Sequence, residues 1–372
     1  MRTLMISLDK KILDPMSAVA HRMIAYGEKE RLTIVIPNQE ARVVNISQSV
    51  VAHGSGGANK FLQFLKTYEV VRGFVVENTF DRISTQDPFF TGLLGVRLKG
   101  RLSTSASVET LPHPSPTRGG SILNKQQFNI PLEVQCHGDF FSDNYYRQGS
   151  IGNRIRYWLA RYYVLSRADR IRVVGERIKQ SLLNIGIQEN KVEVRSIPVE
   201  VEKIRAYVPK FNLRERYPDY TKIFLCLGRL DPVKNLPWLI ELFADIVKEK
   251  PSFLLLIVGD GPERPRLEAL VKAKKLEYTV KFEGWTSDPW SYLKTADTLL
   301  FPSLSEGYGL VVMEAIAAGT PVIMTDVGVA NFEIKSNEKV KIIPINDKVK
   351  FTQAIINLEI RNPKSEIRNK FE

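Results

Sequence analysis

This sequence of 372 residues contains little cysteine and no apolar run of membrane-spanning length. Cys136 and Cys226 are isolated, and neither belongs to a CxxC motif or to a cluster of cysteines and histidines. Such sparse cysteine favours a reduced, cytoplasmic setting. No segment approaches the roughly 18 consecutive apolar residues of a membrane span. The start, MRTLMISLDKK, has no apolar core long enough for a signal peptide.

The length predicts two domains, because 372 residues exceed one ordinary hydrophobic core. With 44% hydrophobic and 25% charged residues, the composition is that of a globular protein. The stretch 198–219 contains three prolines and predicts the connection between the domains. We place the boundary between residues 203 and 204.

Negative charge is scarce in the first part of the chain. Residues 1–205 hold 29 Lys and Arg against 19 Asp and Glu, a net charge of +10, whereas the rest holds 24 against 22, a net charge of +2. Between Arg147 and Lys179, nine basic residues face only Asp169 and Glu176. A block of this kind attracts an anionic surface, whether lipid, nucleic acid or a phosphorylated substrate. A solvated basic face is the alternative.

Residues 298–328 predict a parallel βαβ unit. Its elements are an apolar strand at 298–302, a loop at 303–309, a helix at 310–318 and an apolar strand at 321–325. Gly319 and Pro321 end the helix. The two glycines of the loop let the backbone approach a ligand closely.

Two acids distinguish this unit from plain scaffold. Glu306 lies in the loop and Glu314 inside the helix, with seven residues between them. Because all other residues from 310 to 318 are apolar, a lone carboxylate there is costly unless it is paired or faces a ligand. The start of the helix offers free N–H groups to an anion or to hydroxyls. A buried ion pair beside an unrelated loop glutamate is the structural alternative.

The two glutamates resemble the E-x7-E signature of retaining glycosyltransferases of family 4, which have the GT-B fold. The similarity continues through Glu314-Ala315, Gly319-Thr320-Pro321-Val322 and Gly328. A second motif, Gly228-Arg229 with Lys234-Asn235, is similar to the family's G-R-x4-K-N donor-binding loop. It follows a predicted strand at 222–227. The resemblance covers most of the chain and is best for residues 222–328.

The resemblance implies an α/β protein of the GT-B fold, with two Rossmann-like domains that face a central cleft. Residues 1–203 are then the acceptor-side domain and residues 204–372 the nucleotide-sugar-binding domain. The implied enzyme is a hexosyltransferase. It moves a hexose-type sugar, with retention, from a UDP- or GDP-linked donor to a glycan or lipid-linked acceptor, as in polysaccharide or lipopolysaccharide biosynthesis.

The resemblance also implies roles for single residues of the donor site. Arg229 and Lys234 hold the diphosphate, and Glu314 accepts hydrogen bonds from the ribose hydroxyls. Glu306 holds the donor sugar together with backbone N–H groups of Gly307, Tyr308, Gly309 and Leu310. We assign catalytic roles to Glu306 and to His137.

His137 follows a predicted strand at 131–135, and ligands of open α/β sheets bind at the carboxyl ends of strands. Many family members have a histidine in a similar position, near the transferred sugar and the acceptor. A histidine that only caps the strand end is the alternative. Family members also have a glycine-rich loop after the first strand, whereas this chain has Leu8-Asp9-Lys10-Lys11 there.

No Asp-x-Asp occurs in the chain, and this removes the usual metal site of the other common glycosyltransferase fold. We therefore expect catalysis without a metal or other cofactor, because Arg229 and Lys234 can neutralise the leaving diphosphate. The expected partners are the donor, the acceptor and an anionic membrane surface along residues 150–179, with no nucleic acid. We expect a cytoplasmic protein, with a peripheral position at the inner face of the cell membrane as an open alternative.

The first domain is predicted to alternate strands and helices. Its predicted elements are strands at 2–8, 32–37, 74–77 and 83–86, a helix at 14–26, and a turn and helix at 87–98. Residues 100–125, rich in Ser, Thr, Pro and Gly, predict an inserted and largely disordered loop.

Residues 150–167 predict an amphipathic helix flanked by arginines. Its apolar face consists of Ile151, Ile155, Trp158, Leu159 and Tyr162. One interpretation packs this face on the sheet, with the arginines outside. The other docks it on anionic lipid.

Two other functions stay open at this point. The insertion, the missing glycine-rich loop and the short polar end at 361–372 favour a binding or scaffold protein on a decayed glycosyltransferase fold. The basic first half favours a nucleic-acid-binding protein, although no recognised nucleic-acid motif supports it. Binding of a nucleotide sugar discriminates between these functions.

Overall fold

The structure is a computed structural model that describes residues 1–77, 80–102, 130–142 and 150–357. The chain divides into two units, of which the first is Met1–Val173 with Ile178–Arg195, and the second is Val174–Arg177 with Ser196–Glu372. The sequence-based boundary between 203 and 204 falls inside a helix of the second unit, Val201–Ala206. Residues 103–125 of the predicted insertion and the polar end at 361–372 lie outside the described residues.

The first unit contains a largely parallel sheet. Its strands are β1 (Arg2–Ile6), β2 (Arg31–Ile36), β3 (Ala41–Ser47), β4 (Val50–Ser55), β5 (Arg82–Thr85), β6 (Leu132–Cys136), β7 (Arg170–Val173) and β8 (Val192–Val194). They lie in the order β3-β4-β2-β1-β5-β6-β7-β8, and only the pair β3 and β4 of the described strands is antiparallel. The central strands are buried on both faces, as parallel sheets require.

Helices cover this sheet. They are α1 (Ala18–Gly27), α2 (Lys60–Glu77), α3 (Phe90–Leu102), α4 (Ile151–Trp158) and α5 (Glu176–Asn184), which begins in the segment that groups with the second unit. The helix α3 extends through residues 100–102, which we had assigned to the insertion.

The predicted strand at 74–77 is wrong, because these residues end the helix α2. Val71 and Val75 are buried one turn apart, so their packing on the sheet decides the conformation. The β propensity of the short run Phe-Val-Val is overridden by this packing, as is common for short apolar runs.

Of the two interpretations of the helix at 150–167, the structure contradicts the one that packs its apolar face on the sheet. The helix α4 continues into a π-helical turn, Leu159–Leu165, and the residues buried in that turn are Ala160, Val164 and Leu165. In an α-helix, Ala160 lies about two residues, or roughly 200°, from Trp158, so the buried side is opposite the predicted apolar face. Most of the predicted apolar face is exposed to solvent.

The second unit is built on a fully parallel sheet. Its strands are β9 (Lys222–Leu227), β10 (Phe253–Val258), β11 (Val280–Gly284), β12 (Thr298–Phe301), β13 (Val322–Thr325) and β14 (Val340–Ile343). Its helices are α6 (Val201–Ala206), α7 (Leu213–Arg216), α8 (Leu236–Glu249), α9 (Arg264–Ala273), α10 (Pro289–Thr295), α11 (Leu310–Ala318) and α12 (Lys348–Ile356). A continuous apolar core lies between this sheet and α8, with Phe224, Phe243 and Phe351 fully buried in it.

The strand order of this sheet, β11-β10-β9-β12-β13-β14, creates a switch point. The chain proceeds from β9 outward to β11 on one side and from β12 outward to β14 on the other. Connections on opposite sides of the switch leave a crevice at the carboxyl ends of β9 and β12. The loops that follow these two strands are the two motif loops of the sequence.

Within the described residues, no helix is both long enough and apolar enough to span a membrane.

Candidate donor site

The loop after β9 lies directly against its neighbour after β10. Gly259 has a φ of 135°, and a Cβ atom there would lie 1.9 Å from the carbonyl oxygen of Gly228. The N–H of Leu230 donates to the carbonyl oxygen of Asp260 at 2.9 Å. A 3-10 turn, Pro232–Lys234, then leads into the helix α8. This packing fixes the direction in which Lys234 leaves the backbone.

The loop after β12 is joined to the first loop by a backbone hydrogen bond, in which the N–H of Leu304 donates to the carbonyl oxygen of Val233 at 2.8 Å. The loop ends at Gly309, the N-cap of α11, which has a φ of 94°. No side chain among the described residues caps this helix start. Its first amides are therefore available to an anion or a hydroxyl.

The far side of the same loop is packed against Gly328. The carbonyl oxygen of Tyr308 accepts a hydrogen bond from the N–H of Val329 at 2.9 Å. Gly328 has a φ of 55°, and a Cβ atom at this position would lie 2.4 Å from the Tyr308 oxygen. Only glycine fits this backbone without displacement, and this explains why the motif reaches as far as residue 328.

Arg177 fixes the segment that contains Gly328. Its guanidinium donates to the carbonyl oxygens of Gly328 at 3.0 Å and Ala330 at 2.8 Å, and it pairs with Asp326. The guanidinium also lies over the ring of Phe332, 5.0 Å from its centroid. This role was not predictable from the sequence, because the contact joins residues about 150 positions apart.

Lys234 and Glu306 meet at the switch point. The Lys234 Nζ lies 2.5 Å from Glu306 Oε1. Both side chains are mostly buried, with 22% and 14% of their surfaces exposed. The ammonium also lies 5.0 Å from the centroid of the Phe301 ring. The two motif loops thus bring one cation and one carboxylate into direct contact beside the uncapped helix start.

Glu314 lies in the second turn of α11 and is partly buried. Burial raises the pKa of its carboxyl group, and a hydrogen bond from the Trp290 side chain acts in the opposite direction. Trp290 belongs to α10 and packs edge-on against Tyr207, with ring centroids 5.3 Å apart. The hydrogen bond between Trp290 and Glu314 is a finding of the structure that no sequence motif indicates.

Arg229 lies in the same loop as Lys234 but points into solvent. Its side chain is 72% exposed and lies 3.3 Å from Asp231. An exposed guanidinium of this kind is free to turn toward an incoming anion. Below it, a cavity is lined by Cys226, Leu227, Gly228, Arg229, Leu230, Lys234, Leu236, Leu300, Phe301, Pro302 and Ser303.

Ser303 lies at the wall of this cavity and is fully buried. Its hydroxyl has no hydrogen-bond partner within the described part of the chain. Ser303 does not cap the helix α11, whose N-cap is Gly309.

His137 belongs to the first unit, unlike the other predicted site residues. It directly follows β6, and its Nε2 lies 3.1 Å from Gln135 Oε1. The residue is in part open to solvent, but burial of the imidazole lowers its pKa. Arg172 and Arg22 lower this pKa further, whereas Asp87 opposes them. These effects favour the neutral imidazole near pH 7.

A family model, that of the glycosyl transferases group 1, matches residues 211–372. This segment contains both motif loops, the whole second sheet and α11.

Curated relatives of this chain include glycosyltransferases of bacteria. An alpha-monoglucosyldiacylglycerol synthase of Streptococcus pneumoniae is 27% identical over 280 residues, which cover 72% of this chain and 54% of the relative. A UDP-Gal:alpha-D-GlcNAc-diphosphoundecaprenol alpha-1,3-galactosyltransferase of Escherichia coli is 28% identical over 195 residues, which cover 49% of this chain and 50% of the relative. The chain spans about half the length of the curated relatives it matches.

Solved structures match over nearly the whole chain. The sucrose-phosphate synthase of Thermosynechococcus elongatus has a TM-score of 0.71 at 20% identity and covers 96% of this chain and 89% of its own. HepE of Anabaena, in complex with UDP and glucose, has a TM-score of 0.67 at 16% identity. The match covers 98% of this chain and 91% of the HepE chain. At these identities the likeness establishes the fold alone, and the predicted GT-B fold is confirmed.

Proposed function

Because residues 211–372 match the family model of the glycosyl transferases group 1, we propose that this chain is a retaining hexosyltransferase that takes its sugar from a UDP- or GDP-linked donor. The donor binds in the second unit, and the acceptor is a glycan or a lipid-linked sugar. HepE was solved with UDP and glucose, and the galactosyltransferase relative has an undecaprenol-linked acceptor in its name. Both support this choice of substrates.

The observation on which the proposal rests is the contact between Lys234 and Glu306 at the switch point. A half-buried ammonium beside an uncapped helix start is suited to a diphosphate, because both favour negative charge. The neighbouring carboxylate is suited to sugar hydroxyls, which donate hydrogen bonds to it. A nucleotide sugar offers both groups in adjacent positions.

The other site residues extend this donor model. Arg229, exposed above the cavity, turns onto the diphosphate, and a charged hydrogen bond of this kind contributes roughly 1.5–3 kcal/mol. Glu314 accepts the ribose hydroxyls, and Trp290 orients its carboxylate. The N–H groups of residues 307–310 bind the sugar together with Glu306.

Transfer then proceeds on one face of the sugar. The acceptor oxygen bonds to the anomeric carbon while the bond from that carbon to the diphosphate oxygen breaks. The leaving diphosphate takes the acceptor's proton, so the products are the glycoside and the nucleoside diphosphate. Lys234 and Arg229 neutralise the charge that develops on the diphosphate. The proposal requires no metal ion and no nucleic-acid partner.

His137 contributes from the first unit. Its neutral imidazole contacts the sugar or the acceptor hydroxyl. We further propose that the protein works in the cytoplasm, at the inner face of the cell membrane, because the acceptor class includes lipid-linked sugars.

The proposal is tested by donor binding with Glu314→Ala as the variant. Calorimetric titration of UDP- and GDP-sugars, with EDTA present, is expected to give binding of one donor by the unmodified protein. The variant should lose most of this binding, because it lacks the acceptor of the ribose hydroxyl bonds.

Glu277→Ala is the matched control, since Glu277 is an exposed glutamate of the same unit. Its donor affinity should equal that of the unmodified protein. A folded protein that binds no donor would favour the decayed scaffold. Loss of most sugar transfer on adding EDTA would refute the metal-independent mechanism.

A further inference from the structure

The helix α4 presents an apolar ridge to solvent. The ridge consists of Ile151, Ile155, Trp158 and Tyr162, whose exposed fractions are 76%, 54%, 57% and 50%. Their spacing of four, three and four residues places them on one face of the helix. Trp158 and Tyr162 contact each other, with ring centroids 5.8 Å apart. None of the eight residues of α4 is buried.

The ridge is not required for the hydrophobic core of the first unit. The π-helical turn after α4 directs Ala160, Val164 and Leu165 into the protein, so the hydrophobic packing of this segment is satisfied without the ridge. Contiguous exposed apolar side chains of this size mark interaction sites in soluble proteins. The ridge is therefore a candidate interaction surface.

Positive charge surrounds the ridge. Arg154 and Arg156 are exposed on α4, and neither forms an ion pair within the described residues. Arg161 lies over the Tyr162 ring, 4.7 Å from its centroid. Residues 150–167 contain four arginines and no acidic residue. A hollow of about 520 Å³ lies among these side chains and is lined by Ile151, Arg154, Ile155, Tyr157, Trp158, Arg161 and Tyr162.

We propose that the α4 ridge docks this protein on an anionic lipid surface. The isoleucines and Trp158 enter the interface between headgroups and acyl chains, where amphipathic aromatic rings are favoured. Arg154 and Arg156 remain at the level of the lipid phosphates. An apolar face flanked by unpaired arginines matches such a surface in both charge and hydrophobicity. A protein partner would need an acidic groove of the same shape.

The experiment is sedimentation of the full chain with vesicles, without any nucleotide sugar. We expect binding to phosphatidylcholine vesicles that contain phosphatidylglycerol and little binding to phosphatidylcholine alone. Binding should weaken at high salt, because exposed charges are screened within about 10 Å at 0.1 M. The Trp158 emission should shift to shorter wavelength on binding, and this shift should be absent in Trp158→Phe.

Two sets of variants separate the two contributions. Arg154→Gln and Arg156→Gln should each lower vesicle partitioning about fivefold. Ile155→Ser with Trp158→Ser should abolish binding to anionic vesicles. The matched controls are Lys272→Gln and Val208→Ser, which alter an exposed cation and an exposed apolar residue of the second unit. Both controls should bind as the unmodified protein does.

Three outcomes would overturn this proposal. One is a folded protein that does not bind anionic vesicles, and another is binding that the ridge variants leave unchanged. The third is a self-associated protein that becomes monomeric in Ile155→Ser with Trp158→Ser, which would assign the ridge to a second copy of the chain. Because no donor is present, these outcomes are independent of the Glu314→Ala experiment, and either proposal can fail alone.

Discussion

The two units differ in how their strand ends are fixed. In the second unit, the loops after β9 and β12 are bonded to each other, through Leu304 with Val233 and through Lys234 with Glu306. In the first unit, the predicted site residue His137 bonds to Gln135, two positions earlier in the same strand segment. The candidate donor site is therefore held by long-range contacts, whereas the first unit fixes its histidine locally. This difference predicts that donor binding depends on second-unit residues alone.

The largest expected effect comes from Gly328→Ala, which disrupts the candidate donor site. The left-handed φ costs an alanine roughly 1–2 kcal/mol, and the overlap with the Tyr308 oxygen adds about 1–3 kcal/mol. Chemical denaturation should show that the free energy of unfolding is lower by the sum of these two costs. The protein that remains folded should bind the donor weakly.

Gly186→Ala is the control for this variant in the first unit. Gly186 has a φ of 88°, and a Cβ atom there would meet no atom within 4 Å. The Gly186→Ala variant should lower the free energy of unfolding only by the cost of the left-handed φ, and it should leave donor binding unchanged. Equal losses in both variants would contradict the role assigned to the overlap at Gly328.

The next effect is that of Lys234→Ala. Loss of a charged hydrogen bond to phosphate costs roughly 1.5–3 kcal/mol, so calorimetry should show donor affinity weakened by about 10- to 150-fold. Glu306 also loses its partner, and free UDP or GDP should be affected as much as the sugar donor, because the lysine contacts the diphosphate.

His137→Ala is the first-unit counterpart of this variant. It should leave donor affinity unchanged and slow sugar transfer to the acceptor. A loss of donor affinity comparable with that of Lys234→Ala would remove the proposed division between the units.

The smallest effect concerns pH. Burial raises the pKa of Glu314, so its carboxyl group takes up a proton at a higher pH than an exposed glutamate does. The ribose hydroxyls need the ionised form as acceptor. Donor binding should therefore be complete above this raised pKa and weaken as pH falls through it. Glu314→Gln should flatten this step, and an unchanged step in that variant would assign it to another group.

Much of the second unit was predictable because its local and long-range preferences agree. The strand Lys222–Leu227 and the helix Leu310–Ala318 have the predicted bounds, since each is a largely apolar run ended by glycine. The motif spacing also located Lys234 and Glu306 on loops that the structure brings together. Their direct contact was not predictable, because it depends on the order of β9 and β12 in the sheet.

The first unit was less predictable, for physical reasons that differ from place to place. The ridge of α4 follows the helical period, but the side chains that this segment buries are Ala160, Val164 and Leu165 of the following π-turn. The run at 74–77 has β propensity and is nonetheless held in α2 by the burial of Val71 and Val75. The role of Arg177, which groups with the second unit, was also not predictable, because its partner Gly328 lies about 150 positions later in the chain. The assigned roles of the site residues stay predictions until donor binding is measured.

Each sheet also contains one buried cysteine, whose thiol can report when the strands of that sheet separate. Cys136 lies in β6 and Cys226 in β9; both are buried, and burial raises the pKa of both thiols. A thiol-alkylating reagent can reach either sulfur only when its strand separates from its neighbours. Pulse labelling followed by mass spectrometry of the two peptides would thus give the opening rate of each unit in a single sample, with no engineered label.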